Sequence, residues 1–450
     1  MRSGSKLDMT QGHVLSLAVR FAVPLCLGNL LQQLYHTADT AVVGRFCGSV
    51  SLAAVATSAQ PVELLLHLFL GLGAGVSILV AQYTGGGRHD RMKSMLNTAV
   101  GFLYLCAAAV TLLGVFAGPS VVRLMQAPED VFVHAVAYLR IIFLGALPSL
   151  GYNMNAGVLR GLGDSRSSLI FLVVSCVTNV VLDVVFVALL GMDVSGAALA
   201  TVISQFISWG LSILYIRAKY PTLQLPLIPR RMEKGMLGEI TRISVPLGLN
   251  NSFYSVGHLL MQSLINTQGA AFIAGCSVGG RMLELANVAC LSLSMAATTY
   301  AGQNYGAGRF DRVRKGACIP LLSGAVSFAG SVVIRVFAAP ILSLFTSDAA
   351  VAQAAQLYLS IVPPYICICA VFEGIVALAN GIGAVRYPTV VNILTLWGVR
   401  IPAAHLIARF IGGRYVVAAI PISFVFGLLC MLLFFRSRRW KAVRAQAAKL

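Results

Sequence analysis

Apolar runs long enough to cross a bilayer repeat from one end of this chain to the other, and that pattern leaves few folds open. Crossing the hydrocarbon takes roughly 20 consecutive apolar residues in a helix. Lipid offers backbone groups no hydrogen bonds, whereas a helix satisfies its own. Twelve runs are legible, near 14–44, 52–82, 94–116, 131–156, 167–189, 194–217, 238–267, 272–302, 314–338, 350–379, 388–408 and 414–436. Gly, Pro and charged residues punctuate them. A membrane barrel would instead show short alternating strands. The composition agrees: 58% of the 450 residues are hydrophobic, 11% are charged, and the mean hydropathy is +0.84. Soluble domains do not look like this. The sequence therefore predicts an all-α polytopic membrane protein. Its first run is too long for a secretory signal and lacks a small-residue cleavage site.

The net charge of +18 does not point to nucleic acid, because the basic residues lie in short loops between the runs. The termini and the loops after even-numbered runs hold 24 of the 33 Lys and Arg, against 5 in the loops after odd-numbered runs. Cytoplasmic loops carry that excess, so both termini are expected in the cytoplasm of a multi-pass cytoplasmic-membrane protein. The ten cysteines fall mostly within apolar runs and form no CxxC pair, so they read as small buried hydrophobes.

The longest polar connection, near Arg217–Arg242 and rich in proline, separates two groups of six runs. The groups resemble each other. Gln82, Gly85, Gly87, Arg88, Asp90 and Arg91 recur 221 residues later as Gln303, Gly306, Gly308, Arg309, Asp311 and Arg312. Glu63 and Glu284 keep that offset, and Arg20, Pro24 and His36 recur as Arg242, Pro246 and His258. Six runs per copy make the copies parallel, which predicts two pseudo-symmetric six-helix lobes around a cleft, a transporter pattern. The expected division is an N-terminal lobe over 1–217, a cytoplasmic linker over 218–237 and a C-terminal lobe over 238–450.

Asp39, Glu63, Asp183, Glu284 and Glu373 are the acidic residues well inside the runs. A carboxylate at that depth costs about 2.5–3.5 kcal/mol on insertion scales, so it normally faces a polar cavity and has a task. Asn179 and Asp183 are four residues apart and share a helix face. With Asp39 and the hydroxyl of Thr201 they form an all-oxygen set suited to Na⁺ or to shared protons. The repeat is an internal control. The counterparts of Asp39, Asn179 and Asp183 are Met261, Val399 and Ala403, so the second copy keeps the scaffold without these polar groups. Glu63 and Glu284 stand in both copies and read as structural or cleft-lining. His36, repeated as His258, reads as packing. Glu373, with Asn153 as its counterpart, is the second-lobe candidate for a cation or substrate contact. Gly71 and Gly75 form a GxxxG pair, a signature of close helix packing. No GxxxxGK[ST], HExxH or GxSxG motif is present, so neither direct ATP drive nor the commoner hydrolases are indicated.

The order Pro24…Gln33-Leu34-Tyr35…Asp39…Val43-Gly44, then Gly71…Gly75…Gln82, then Leu159-Arg160-Gly161-Leu162-Gly163-Asp164 resembles the multidrug and toxic compound extrusion (MATE) family. The resemblance covers essentially the whole chain. It implies two six-helix lobes and antiport of organic, often cationic amphipathic compounds against Na⁺ or H⁺. It also implies that Asp39, Asn179, Asp183 and Thr201 form the first-lobe cation site, and that Pro24 is the helix bend tied to cation state. Gln33, Tyr35 and Asn153 join the candidate cavity residues. The sequence departs from members with a second-lobe site, which carry a glutamate and an aspartate where Tyr254 and Cys369 stand here. The expectation is a monomeric, cation-coupled exporter of drug-like molecules that needs no cofactor beyond the coupling ion and binds no nucleic acid. The alternatives are a lipid-linked oligosaccharide flippase, which a basic cavity would suit better than these Arg-poor spans, and an integral membrane enzyme.

Overall fold

The computed structural model describes residues 6–125, 127–229, 232–345, 348–436 and 440–441; within its helices the side chains of His36, Gln60, Leu64, His67, Leu68, Ile341, Leu344 and Phe345 are outside the description. The described residues are predominantly helical and include no strand. The first six segments are α1 (Val14–Phe46), α2 (Gly48–Gly85), α3 (His89–Leu124), the pair α4 (Glu129–Leu144) and α5 (Ala146–Leu162), α6 (Ser165–Asp183), and α7 (Asp193–Lys219). The next are α8 (Lys234–Asn266), α9 (Ala270–Gly306), α10 (Phe310–Lys315) with α11 (Cys318–Val336), and α12 (Ala338–Phe345). The last are α13 (Ala349–Ile361) with α14 (Ile366–Gly381), α15 (Arg386–Ile393) with α16 (Ile401–Phe410), and α17 (Ala419–Phe434).

Among the described residues, nine helical stretches are long and apolar enough to span a membrane, and α4 with α5 makes a tenth that bends by 49°. With α2 and α8, of 38 and 33 residues, they correspond to the twelve apolar runs. Two segments contain π-helical turns, rare geometry that concentrates at functional sites. One, Val184–Leu189, directly follows Asp183. The other, Leu394–Arg400, ends on the only arginine buried in the core among the described residues.

The chain packs as two compact units, Met1–Leu7 with Leu27–Ser252, and Asp8–Cys26 with Phe253–Leu450. Covalent order and packing thus part company: the start of α1 belongs to the second unit and the start of α8 to the first. The cause is local in each. In the second unit the Met9 amide donates to Gln303 Oε1 at 3.0 Å, and the Met9 carbonyl accepts from Asn304 Nδ2 at 2.9 Å. Arg312 Nη2 donates to the Gly12 carbonyl at 2.9 Å. In the first unit, α2 offers α8 a cleft of glycines. A Cβ built on Gly71 would lie 2.3 Å from the Gly248 nitrogen, and one on Gly75 would lie 2.1 Å from Ser244 Oγ. The GxxxG pair is therefore a close helix contact. α1 runs unbroken through Pro24, just before the change of unit.

The internal repeat is visible in the backbone. Gly48, Gly87, Gly163 and Gly191 take positive φ, and so do Gly269, Gly308, Gly383 and Gly412, each 220 or 221 residues on. Only glycine holds that conformation without cost, so these turns preserve the register of the copies. Close packing repeats as well. A Cβ on Gly161 would lie 2.6 Å from the Ser77 carbonyl oxygen, and one on Gly381 would lie 2.4 Å from that of Thr298.

Asp164 caps α6 and locks it to the end of α7. Its carboxylate accepts from the Ser167 amide at 3.1 Å, the Tyr220 hydroxyl at 2.8 Å and Lys219 Nζ at 3.0 Å, and its side chain is fully buried. Burial alone would push this carboxyl up. The bonds from Tyr220, Lys219 and Ser167 outweigh it and hold the carboxyl below the usual range. A group depressed in the folded state stabilises fully above its unfolded value, near 3.9, and loses that contribution as pH falls through its folded value. Asp164→Asn is expected to cost about 1–3 kcal/mol at neutral pH. Thermal unfolding in detergent should show the gap from wild type narrowing only below about pH 4.

Candidate functional site

In the first unit α1 brings Asp39 to the end of α6, where Asn179 and Asp183 lie on one face. Asn179 is fully buried and Asp183 is 1% exposed. One turn beyond Asp39, Val43 packs with Val187 of the π-turn and Ala197 of α7, which fixes α1 against both elements. With its amide oxygen turned to α7, Asn179 Nδ2 donates to Asp183 Oδ2 at 2.8 Å. Its Oδ1 then accepts from the Thr201 amide at 3.1 Å and the Thr201 hydroxyl at 3.2 Å. An amide orientation is assigned from its partners, and this one satisfies both ends. The carboxyls of Asp39 and Asp183 lie within hydrogen-bonding reach of each other. Asp39 Oδ1 and Asp183 Oδ1 are both buried without a donor.

Two acceptor oxygens without donors, beside an amide oxygen and a hydroxyl, form a donor set for a small hard cation or for a proton held between the acids. Among the described residues no group of three His, Cys, Asp or Glu side chains is arranged to hold a metal. The set is one of mixed oxygens and suits Na⁺ better than a transition ion.

Tyr35 joins the site through a hydroxyl bond to Thr201, four residues before Asp39 on the same face of α1. Sequence reasoning missed Tyr138, on α4, which lies near both carboxyls. Its counterpart in the second half is Tyr358, so a difference between the copies gives no signal at this position.

The remaining candidates do not converge there. Gln33 is exposed, with its carbonyl accepting from Thr37 Oγ1 at 3.0 Å, and Asn153 Nδ2 donates to the Ser149 carbonyl of its own helix at 2.9 Å. Glu63 and Glu284 are exposed on α2 and α9. Pro24 is buried in the part of α1 that belongs to the second unit. The His36 side chain lies outside the described residues. Glu373 is exposed on α14, within electrostatic reach of Arg400.

Comparison with known proteins agrees with this architecture. The MatE family model matches residues 24–185 and 246–406, one copy in each half. A probable multidrug resistance protein of Bacillus subtilis, YpnP, is 30% identical over 97% of this chain and 98% of its own. The probable multidrug resistance protein NorM of Thermotoga maritima is 25% identical over 94% and 92%. A solved outward-facing multidrug resistance MATE transporter of the MOP superfamily superposes with a TM-score of 0.90 at 23% identity, over 99% of this chain and 100% of that one. The fold is thus the twelve-helix, two-lobe arrangement. With the family model matched in both halves and a 30% identical relative along nearly its whole length, the chain belongs to the MatE family of multi-pass membrane transporters.

Proposed function

We propose that this protein is a cation-coupled antiporter that exports drug-like organic compounds across the cytoplasmic membrane, rather than an enzyme, and that Asp39 with Asp183 is its coupling site. The observation that carries the reading is the buried carboxyl pair, with one unpartnered oxygen on each acid and Asn179 and Thr201 beside it. Such a pair does not stay doubly ionised in an apolar surround; it takes a proton or a cation between its oxygens. Loading changes the charge between α1, α6 and α7, and α1 continues into the other packing unit. A ligand shifts such an equilibrium only through different affinities for the two states, so coupling ion and exported compound favour opposite states. The relatives' names support multidrug export, and the charge distribution of the loops supports cytoplasmic termini.

The test is purified protein in liposomes loaded with a cationic dye, with Na⁺ and H⁺ gradients imposed separately. The expected result is uphill dye movement under one of the two gradients, with the dye chemically unchanged. No movement under either gradient would overturn the reading, and a modified dye would favour a membrane enzyme.

A further inference from the structure

The second unit carries its own polar cluster, of opposite sign to the first. Arg400 ends the π-turn Leu394–Arg400 and is only 6% exposed. Its Nε donates to Ser423 Oγ at 2.9 Å, and its guanidinium lies 5.1 Å from the centre of the Phe424 ring. The Tyr254 hydroxyl lies within its electrostatic reach. Tyr254 and His258 are one turn apart on α8, their rings 5.5 Å apart, and both are exposed. α8 reaches the π-turn because residue 257 is glycine: a Cβ there would lie 2.3 Å from Leu396 Cδ2. Trp397 Nε1 donates to the Phe253 carbonyl at 3.2 Å and ties the same elements together. Glu373 faces this group from α14 and interacts with Arg400 electrostatically, yet no ion pair joins them among the described residues.

A guanidinium has five N–H donors. Ser423 takes the Nε donor, the other four have no hydrogen-bond acceptor among the described residues, and the exposed Tyr254 lies within electrostatic reach of the guanidinium. A buried arginine and a glutamate that sit near each other without pairing leave both charges incompletely compensated. A simple cation gains at Glu373 but is repelled by Arg400, and a simple anion meets the reverse. A molecule carrying both charges satisfies both, its oxyanion taking the planar N–H fork of arginine. The rings of Tyr254 and His258 supply a flat surface for an amphipathic body.

We propose that Tyr254, His258, Glu373 and Arg400 form a second-unit binding site for zwitterionic amphiphiles, with the carboxylate of the ligand on Arg400 and its cationic group on Glu373. This rests on the export reading above and adds a substrate class to it. The repeat sharpens the contrast. The counterparts of the acidic Asn179–Asp183 turn are Val399 and Ala403, and the charge in that turn of the second copy is the basic Arg400.

The test uses two probes, a rhodamine with a free benzoate carboxyl and the methyl ester of the same dye, bound at equilibrium to the full-length protein in detergent. Wild type is expected to prefer the free acid. Arg400→Gln should shrink that preference at least about ten-fold, the loss of one charge-assisted pair. Tyr254→Phe should shift it the same way by less, and Arg400→Lys should be intermediate. Glu373→Gln should weaken both dyes alike, since both carry the cationic xanthene. Arg335→Gln, an exposed arginine of the same unit, is the control. Wild type without a preference, or a preference unchanged in Tyr254→Phe and in a folded Arg400→Gln, overturns the proposal. If Arg400→Gln does not fold, Tyr254→Phe and Arg400→Lys decide alone. Equilibrium binding needs no gradient, so the two readings fail separately. An Arg400-dependent preference without driven efflux sinks only export, and driven efflux without that preference sinks only this site.

Discussion

Asp39→Asn is expected to abolish gradient-driven efflux while the protein still folds, inserts and binds dye. Asparagine matches aspartate in size and removes the group that exchanges a proton or faces a cation. The buried pair then becomes one acid beside an amide. An amide at position 39 can donate to Asp183, whose Oδ1 has no donor in the wild-type structure, so folding does not suffer. What is lost is the alternation of charge between α1 and α6, and uphill transport should fall to the rate of a vesicle without a gradient. Asp183→Asn should match it, and the double variant should be no worse than either single one, because interacting residues are not additive. Glu284→Gln and His36→Gln should retain most of the transport. The measurement is dye binding and proteoliposome efflux side by side. Full efflux in Asp39→Asn under either gradient would move the coupling site elsewhere, and Glu373 would be tested next.

Gly71→Val should destabilise the fold more than Asp164→Asn or any of the polar substitutions above. A Cβ at 71 would meet the Gly248 nitrogen at 2.3 Å, the Gly248 Cα at 2.6 Å and the Ser244 carbonyl oxygen at 2.6 Å. All three are backbone atoms, so no side chain can rotate away and α2 and α8 must move apart. Overpacking typically costs about 1–3 kcal/mol, and contact with backbone puts this case at or above the upper end. Two helices pushed apart also lose dispersion along their whole contact. Gly210, in α7, has nothing within 4 Å of its would-be Cβ. Gly210→Ala should therefore be neutral or gain about 0.5–1 kcal/mol from helix propensity. Thermal unfolding of the detergent-solubilised proteins separates the two. Similar melting for Gly71→Val and wild type would mean that α8 does not pack on α2 as described.

The candidate site was legible in the sequence to an unusual degree because the chain contains its own comparison. Asp39, Asn179 and Asp183 stood out as polar groups that the second copy lacks, while glycine turns and the Gln82/Gln303 motif were kept. The same logic hid Tyr138, since Tyr358 repeats it, and it gave no weight to Arg400, whose surroundings depend on α8, α14 and α17 arriving together. Gln33 shares the motif with Tyr35 but is exposed and stands apart from the carboxyl cluster that Tyr35 joins.

By itself the sequence determined the class, the twelve apolar segments, the parallel duplication and the acidic positions in the first half. Each follows from local terms: the length of an apolar run, the placement of Lys and Arg, residue identity at a fixed offset. Only the tertiary structure decided which stretches share a core. The start of α1 packs in the second unit because the segment before it is bonded to Gln303, Asn304 and Arg312. The start of α8 packs in the first because Gly71 and Gly75 leave room for its backbone. The tertiary structure likewise put Asp39 against Asp183 across more than a hundred residues, and left Arg400 and Glu373 near each other but unpaired. Such placements are set by close packing between distant segments, which hydropathy and local pattern do not encode.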